Sequence, residues 1–214
     1  MTSEATDINR LREASQAGDG GVLGELLGQY RERLRQMVRL RMDRRLRGRV
    51  DPSDVIQEAY FEASRRMAEY LDNPALPFFL WLRFLTGQQL AAAHRRHLGI
   101  QARDAGREVS LYQGALPEAT SAALAAQLVG RMSSPSDAAM RAEMQVRLQE
   151  ALNTLQPLDR EVLTLRHFEQ LSNVEAAQVL GLKPTASSNR YIRAIAKLKD
   201  ILTNMPGGLA DLWK

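Results

Sequence analysis

Several residue types that build reactive sites are scarce in or missing from this sequence of 214 residues. It contains no cysteine, which excludes a disulfide framework, a cysteine-ligated zinc site and a thiol nucleophile. Two of its three histidines, His94 and His97, flank a pair of arginines that would repel a metal cation. No phosphate-binding glycine loop of the GxxxxGKS or GxxxxGKT form occurs. We therefore expect no catalytic residue, no metal site and no cofactor in this chain.

Long hydrophobic runs are also missing. No stretch approaches the roughly 18 consecutive apolar residues that a membrane-spanning helix requires. The first ten residues are polar and acidic, unlike a secretory signal. Because 44% of the residues are hydrophobic and the chain is long enough to bury a core, we expect a folded, soluble protein of the cytoplasm.

Strand patterns are absent, and helical periodicity runs through most of the chain. Apolar residues between Leu23 and Val38 recur at helical spacing and form one stripe of a long amphipathic helix. A second helix begins at Pro52 and continues to about Tyr70. Further helices are expected over 78–97, 137–154, 158–168, 173–180 and 184–203, with a short one near 121–129.

Composition divides this all-α chain into two helical domains joined by a linker. Residues 99–136 are rich in Ala, Gln and Ser and are interrupted by glycine and proline, which indicates the linker. The first domain is predicted over 1–98 and the second, containing a helix-turn-helix, over 137–205. A short tail, 206–214, follows.

Charge is distributed unevenly although the net charge is only +4. Residues 31–50 contain nine arginines against two acidic residues, and 51–75 contain six acidic residues against two arginines. The segment 76–103 has four arginines and no acidic residue, and 181–214 has six basic residues against two acidic ones. Basic blocks favour a polyanion and acidic blocks a basic protein, although each block could instead be an ordinary solvated helix face.

The clearest local pattern is a helix, a tight turn and a second helix over 173–203. Asn173 is the expected N-cap of the first helix, Gly181 suits a left-handed turn, and Pro184 can open the second helix. This is the plan of a helix-turn-helix, and an ordinary helical hairpin is the alternative. The second helix offers short polar and cationic groups suited to base edges and phosphates: Thr185, Ser187, Ser188, Asn189, Arg190, Arg193 and Lys197.

Two sets of motifs carry a specific resemblance. Residues 171–182, LSNVEAAQVLGL, resemble the region-four helix-turn-helix of extracytoplasmic-function (ECF) sigma factors, and 155–163, LQPLDREVL, resemble the family's LPPRQREVL. In the N-terminal half, 54–58, DVIQE, resembles the DVVQEVF motif of sigma domain two. FFLWL at 78–82 resembles the family's FRAWL, and the stretch from Gln88 to Arg96 resembles the end of its RNLALDHLRR. Together the resemblance covers about 20–98 and 137–203.

The resemblance implies a non-enzymatic subunit that directs core RNA polymerase to promoters. Asp54, Gln57 and Glu58 share one face of the helix after Pro52, and in the family this helix docks on the clamp coiled coil of the largest polymerase subunit. An acid cluster that merely favours the helix dipole is the alternative. For the basic helix over 31–49, contact with polymerase or DNA and plain solvation both stay open.

The loop 71–77 and the helix after it mix aromatic and cationic side chains, a combination that holds single-stranded DNA. In the family this region reads and melts the minus-ten element, and Asn73 is the candidate base reader. Trp81 and Phe84 are alternatively core residues. The resemblance implies minus-ten contacts from Asn73, Phe79, Trp81, Arg83, Gln88, His94, Arg95 and Arg96.

The helix-turn-helix would read the minus-thirty-five element as duplex DNA. Ser188 stands where the family often has lysine, so we expect weak binding there. The implied partners are core RNA polymerase and promoter DNA, both duplex and single-stranded. An anti-sigma factor is a candidate regulator, and the free chain is expected to be a monomer. A stand-alone helix-turn-helix regulator that acts without polymerase is the alternative function.

Overall fold

The computed structural model describes residues 3–17, 19–98, 117–131 and 138–204, and every regular element within them is a helix. The all-α prediction is thus confirmed. The helices are α1 Ser3–Ala17, α2 Gly21–Arg41, α3 Pro52–Arg65, α4 Met67–Asp72, α5 Phe78–Leu98, α6 Ser121–Arg131, α7 Ala138–Asn153, α8 Pro157–Leu163, α9 Asn173–Leu180 and α10 Pro184–Asn204. None of them is long and apolar enough to cross a bilayer.

The chain forms two compact units, Met1–Pro117 and Glu118–Lys214. Helices α1 to α5 belong to the first and α6 to α10 to the second. The expected linker segments 99–116 and 132–136, and the expected tail 206–214, lie outside the described residues.

The core of the first unit lies between α2, α3 and α5. The predicted stripe of α2 is buried at Leu26, Leu34 and Met37, and α5 buries Phe78 and Leu82 completely. Each large apolar side chain that leaves water contributes roughly 1.5–3 kcal/mol. Packing of α5 against α2 and α3 therefore stabilises this unit far more than any surface contact does.

Helix α1 has no counterpart among the helices predicted from the sequence. It attaches to α2 through a buried hydrogen bond of 2.5 Å from the Tyr30 hydroxyl to the Asp7 carboxylate. Leu11 is buried beside it, and the Arg12 guanidinium donates to the Leu71 carbonyl at 3.1 Å. This segment has few apolar positions, so its sequence shows only a weak helical periodicity. Its contacts with α2 and with the end of α4 hold it in place.

The helix expected from Pro52 to about Tyr70 is interrupted at Arg66, which has φ −100° and ψ 7°. Beyond this break, α4 brings Tyr70 against α5, where its ring stacks on Trp81 with centroids 4.3 Å apart. The Tyr70 hydroxyl also donates to the Leu76 carbonyl at 2.8 Å. These contacts of Tyr70 favour the break at Arg66 between α3 and α4. The local sequence around Arg66 carries no signal for that break.

In the second unit, α6 packs against α7, and α10 packs against α7, α8 and α9. The short helix expected near 121–129 is α6, which buries Leu124 and Ala125. Arg160 of α8 donates to the Ser121 hydroxyl at 3.4 Å. The helix expected over 158–168 is α8 followed by one π-helical turn over Thr164–Phe168, which keeps Phe168 in the core.

Candidate polymerase and DNA interfaces

The start of α3 is built by its own sequence. Asp51 is the N-cap and accepts a hydrogen bond of 2.7 Å from the Ser53 backbone N–H, while Pro52 fits the first turn. That backbone hydrogen bond holds the pKa of the Asp51 carboxyl below its ordinary value. Val55 and Ile56 are buried and fix the rotation of the helix.

The opposite face of α3 presents the predicted polymerase contacts. Asp54, Gln57 and Glu58 are all exposed, and their spacing places them on one side of the helix. Phe61 is also 70% exposed and lies seven residues after Asp54, hence on the same side. Phe61 was not among the predicted polymerase contacts, although this spacing was a usable signal. The face therefore combines two carboxylates, an amide and an aromatic ring, a set suited to a basic surface with an apolar contact.

A small cleft lies where the loop after α4 meets α5. Its volume is about 190 Å³, and the stacked Tyr70 and Trp81 rings contribute to its wall. Trp81 is half-exposed, so one part of its indole packs against Tyr70 and another borders the cleft. The lining residues are Arg66, Glu69, Tyr70, Asn73, Ala75, Leu76, Trp81 and Phe84.

Asn73 lies at the rim of this cleft, directly after α4. Its carbonyl accepts a hydrogen bond of 2.8 Å from the Ala75 backbone N–H, which holds the loop. Its exposed side-chain amide makes no hydrogen bond to any residue that the structure describes. Both the donor and the acceptor of that amide are therefore available to a base edge.

Two predicted DNA contacts, Phe79 and Arg83, are interior residues instead. Their exposed fractions are 4% and 2%. Phe79 packs against Tyr30 with ring centroids 5.1 Å apart, and the Arg33 guanidinium lies 3.7 Å from its ring centre. The first half of α5 is buried around most of its circumference. Its aromatic and cationic residues are therefore not all exposed, as a DNA-binding role would require.

The C-terminal end of α5 is more accessible. Arg95 and Arg96 are exposed, whereas Gln88 and His94 are half-buried. The Nε2 atom of His94 accepts a hydrogen bond of 3.3 Å from the Asp43 backbone N–H. Burial lowers the pKa of His94 below its ordinary value, which favours this neutral acceptor over a cation that would bind phosphate.

The helix-turn-helix begins with a capping box one residue before the predicted cap. Ser172 is the N-cap: its hydroxyl accepts from the Glu175 backbone N–H at 3.2 Å, and the Glu175 carboxylate accepts from the Ser172 N–H at 2.6 Å. Asn173, expected to be the cap, instead donates from its amide to the Pro184 carbonyl at 2.8 Å. This bond connects the first turn of α9 to the first turn of α10.

The turn between α9 and α10 has the geometry that its glycine predicts. Gly181 has φ 63° and ψ 31°, a left-handed conformation in which a side chain would be strained. The Leu182 backbone N–H donates to the Ala177 carbonyl at 2.8 Å, which closes the end of α9. The angle between the two helices is therefore fixed by backbone bonds.

One face of α10 presents a row of exposed polar side chains. Thr185, Asn189, Arg193 and Lys197 follow each other at intervals of four residues and are all exposed, and Ser188 is half-exposed beside them. The ammonium of Lys197 also donates to the Thr154 carbonyl at 2.6 Å. This row is the surface with which α10 can reach a DNA groove.

Two other predicted contacts on α10 have roles inside the protein. Ser187 is completely buried on the face opposite solvent, so it cannot reach DNA, which corrects its assignment. Arg190 is partly buried and forms an ion pair of 2.7 Å with Asp159 of α8. Arg190 thus fixes the position of α10 relative to α8.

Comparison with known proteins extends the similarity over both units. The family model described as "Sigma-70, region 4" matches residues 145–198. ECF RNA polymerase sigma factor SigD of Mycobacterium tuberculosis is 28% identical over 200 residues, covering 94% of this chain and 86% of SigD. ECF RNA polymerase sigma factor BldN of Streptomyces coelicolor is 26% identical over the same length, covering 67% of BldN.

A solved structure has a similar fold. It is the structure of CnrH in complex with the cytosolic domain of CnrY, with a TM-score of 0.53 and 22% identity, covering 94% of this chain and 99% of CnrH. The helix-turn-helix, the family model and the sequence similarity along nearly the whole chain agree. This chain therefore carries a sigma-70 region 4 helix-turn-helix and is similar to ECF sigma factors along 94% of its length.

Proposed function

We propose that the two units of this sigma factor divide promoter recognition between them. As an ECF sigma factor the chain directs core RNA polymerase to promoters, and the observation that carries this is the similarity to SigD over 94% of the chain. The alternative, a regulator that acts through its helix-turn-helix alone, is not favoured, because that similarity covers 94% of the chain and so extends through most of the first unit.

The first unit docks on the clamp coiled coil of the largest polymerase subunit through α3. Asp54, Gln57 and Glu58 are exposed on one face, and none of them forms a hydrogen bond or an ion pair with the described part of the chain. Their carboxylates and amide are therefore free to accept bonds from arginine side chains of the partner. Among the residues that the structure describes, no ion pair of these three side chains has to break before docking.

The same unit binds the minus-ten element once its strands separate. The cleft beside Asn73 is open, is bordered by the Trp81 indole and can take a base that leaves the stack. The exposed Arg95 and Arg96 supply cations for the phosphates of the same strand. Phe79 and Arg83 do not contact the DNA in this proposal. They pack in the interior of the unit and hold α5 in position.

The second unit reads the minus-thirty-five element as duplex DNA through the exposed row on α10. Thr185, Asn189 and Arg193 offer hydrogen bonds to base edges or phosphates from the first three turns of the helix. Only Arg193 and Lys197 of this row carry charge, so we expect modest affinity from this unit alone. Joining two weak binding units in one chain raises the overall affinity through effective concentration.

The chain itself contributes recognition and strand opening rather than catalysis, which belongs to the polymerase. We expect the free protein to be a cytoplasmic monomer, and an anti-sigma factor is its candidate regulator.

Reconstitution tests this assignment. The purified chain is mixed with core RNA polymerase of the same organism, and run-off transcription is measured on genomic fragments that the mixture retains. We expect a stable complex and promoter-dependent transcripts that require the chain. Absence of both would contradict the proposed function, and tight binding to a two-fold duplex site without polymerase would support the alternative regulator.

A further inference from the structure

A basic cleft lies in the first unit between the end of α2 and the start of α3. Its volume is about 650 Å³, and it opens to solvent beside Arg39, Arg47 and Arg49. None of the residues so far assigned to DNA lines it. Three guanidinium groups around one concave surface favour an anion, because each offers several N–H donors in a planar fork.

The loop that carries two of these arginines has a fixed conformation. Leu46 is completely buried and anchors the loop in the core. The backbone N–H groups of Arg49 and Val50 both donate to the Leu46 carbonyl, at 2.9 Å and 3.0 Å. The positions of Arg47 and Arg49 along the backbone are therefore set before any ligand arrives.

The three guanidinium groups have no hydrogen-bonded or ion-paired partner within the described part of the chain, although Asp51 is near enough to Arg39 for the two charges to interact. All three side chains are exposed, and none forms a hydrogen bond or an ion pair there. Two carboxylates, Asp51 and Asp54, also line the cleft and offset part of this charge, which leaves three cations against two anions. The cleft consequently keeps an excess of positive charge.

The loop that leads into this cleft contacts the end of α5. The loop before Arg47 is joined to α5 by the hydrogen bond between Asp43 and His94, directly before the exposed Arg95 and Arg96. The Asp43 carboxylate lies 2.8 Å from the Arg45 guanidinium, whose hydrogen bonds lower the pKa of Asp43 to about 2. Asp43 is therefore already paired, and the hydrogen bond to His94 places the start of this loop beside the end of α5.

We propose that the cleft at Arg39, Arg47 and Arg49 binds phosphates of the promoter DNA backbone, next to the strand that the end of α5 contacts. The proposal rests on the proposed function of the first unit. It assigns three arginines of the basic stretch 31–49, for which the sequence left contact and solvation open, to the DNA backbone. Contacts of this kind add affinity without reading the base sequence.

The test is the salt dependence of promoter binding by holoenzyme carrying Arg47→Gln and Arg49→Gln. Two lost phosphate contacts should reduce the slope of log affinity against log salt by about 1.4 on a single strand or about 1.8 on duplex DNA. Between about 50 and 200 mM salt, the wild type should thus lose roughly ten-fold more affinity than the variant. The matched control is Arg31→Gln with Arg65→Gln, which removes two exposed arginines outside the cleft.

Core-binding affinity and thermal melting are measured on the same variants, to separate the possible outcomes. An unchanged slope would overturn the proposal, and so would a variant that loses core binding, which would assign the cleft to an acidic polymerase surface. Saturable binding of inorganic tripolyphosphate with an unchanged DNA slope would instead assign it to a free polyphosphate. If the wild-type chain neither binds core nor transcribes, the proposed function fails, independently of the cleft.

Discussion

Helices α5 and α10 each have 21 residues, and the sequence predicts that both face DNA. They differ in how much of their surface is exposed to solvent. α10 has two distinct faces, with a buried row that includes Ala194 and Leu198 and an exposed polar row. α5 is buried around most of its first half, including Phe79 and Arg83. Polar and cationic residues therefore marked a solvent-facing surface on α10, where such a row is exposed, but not on the first half of α5.

The largest expected effect tests the interior role of α5. Phe79→Ala should lower the free energy of unfolding of the first unit by about 3–5 kcal/mol, because a large ring leaves a cavity between α2 and α5. Asn189→Ala on α10 should change stability by less than about 0.5 kcal/mol. Denaturant unfolding followed by circular dichroism measures both. A Phe79→Ala protein of normal stability that no longer opens promoters would reverse our placement of this residue.

The next effect concerns α3, which resembles α10 in having one buried and one exposed face. Gln57→Ala combined with Glu58→Arg should weaken association with core polymerase at least ten-fold, about 1.4 kcal/mol, because an accepting carboxylate becomes a like charge. Fluorescence anisotropy of labelled protein with core polymerase measures this. Glu69→Arg, an exposed charge reversal on α4, is the control. Unchanged assembly of the double variant would argue against the docking face.

A smaller effect separates two arginines that lie three residues apart on α10. Arg193→Gln should weaken binding of the holoenzyme to minus-thirty-five duplex by about 1–3 kcal/mol without changing stability, since its side chain is exposed. Arg190→Gln should instead cost up to about 1 kcal/mol of stability, because it breaks the partly exposed ion pair with Asp159. Equal losses of DNA affinity and stability in both variants would contradict this division.

The smallest effect is a pH dependence at the end of α5. The pKa of His94 is lowered in the folded protein, so the unfolded chain takes up a proton first as the pH falls. The contribution of His94 to stability is therefore complete above pH 6.5 and is lost as the pH falls from 6.5 through the folded-state pKa. The free energy of unfolding is measured between about pH 7.5 and about pH 5 for the wild type, for His94→Gln and for the exposed control His97→Gln. It should depend less on pH in His94→Gln than in the other two proteins. Parallel profiles for all three proteins would refute this account.

The turn chemistry of the helix-turn-helix could be predicted because its signals are local. Gly181 and Pro184 act through their own backbone preferences, and both lie where expected. The sequence also contains the signal for the correct N-cap of α9. Ser172 is followed three residues later by Glu175, which is the pattern of a capping box, whereas Asn173 has no such partner. The correct cap was therefore within reach of sequence reasoning.

The burial of α5 and the existence of α1 could not be predicted in the same way. Phe79 faces the core because its ring packs against the ring of Tyr30 on α2. Tyr30 in turn holds α1 through its hydrogen bond to Asp7. These contacts join residues that are far apart in sequence, and periodicity describes only neighbours. The exposed residues of α3 were easier, since a helix with clear buried positions leaves its other face to solvent.

The stack of Trp81 on Tyr70 has an optical consequence. One side of this indole touches a phenol ring and another borders the cleft beside Asn73, so an inserted base would change its surroundings directly. The sequence has one other tryptophan, Trp213, which phenylalanine could replace. The fluorescence of Trp81 would then report strand opening from within the protein, in real time and without a dye on the DNA.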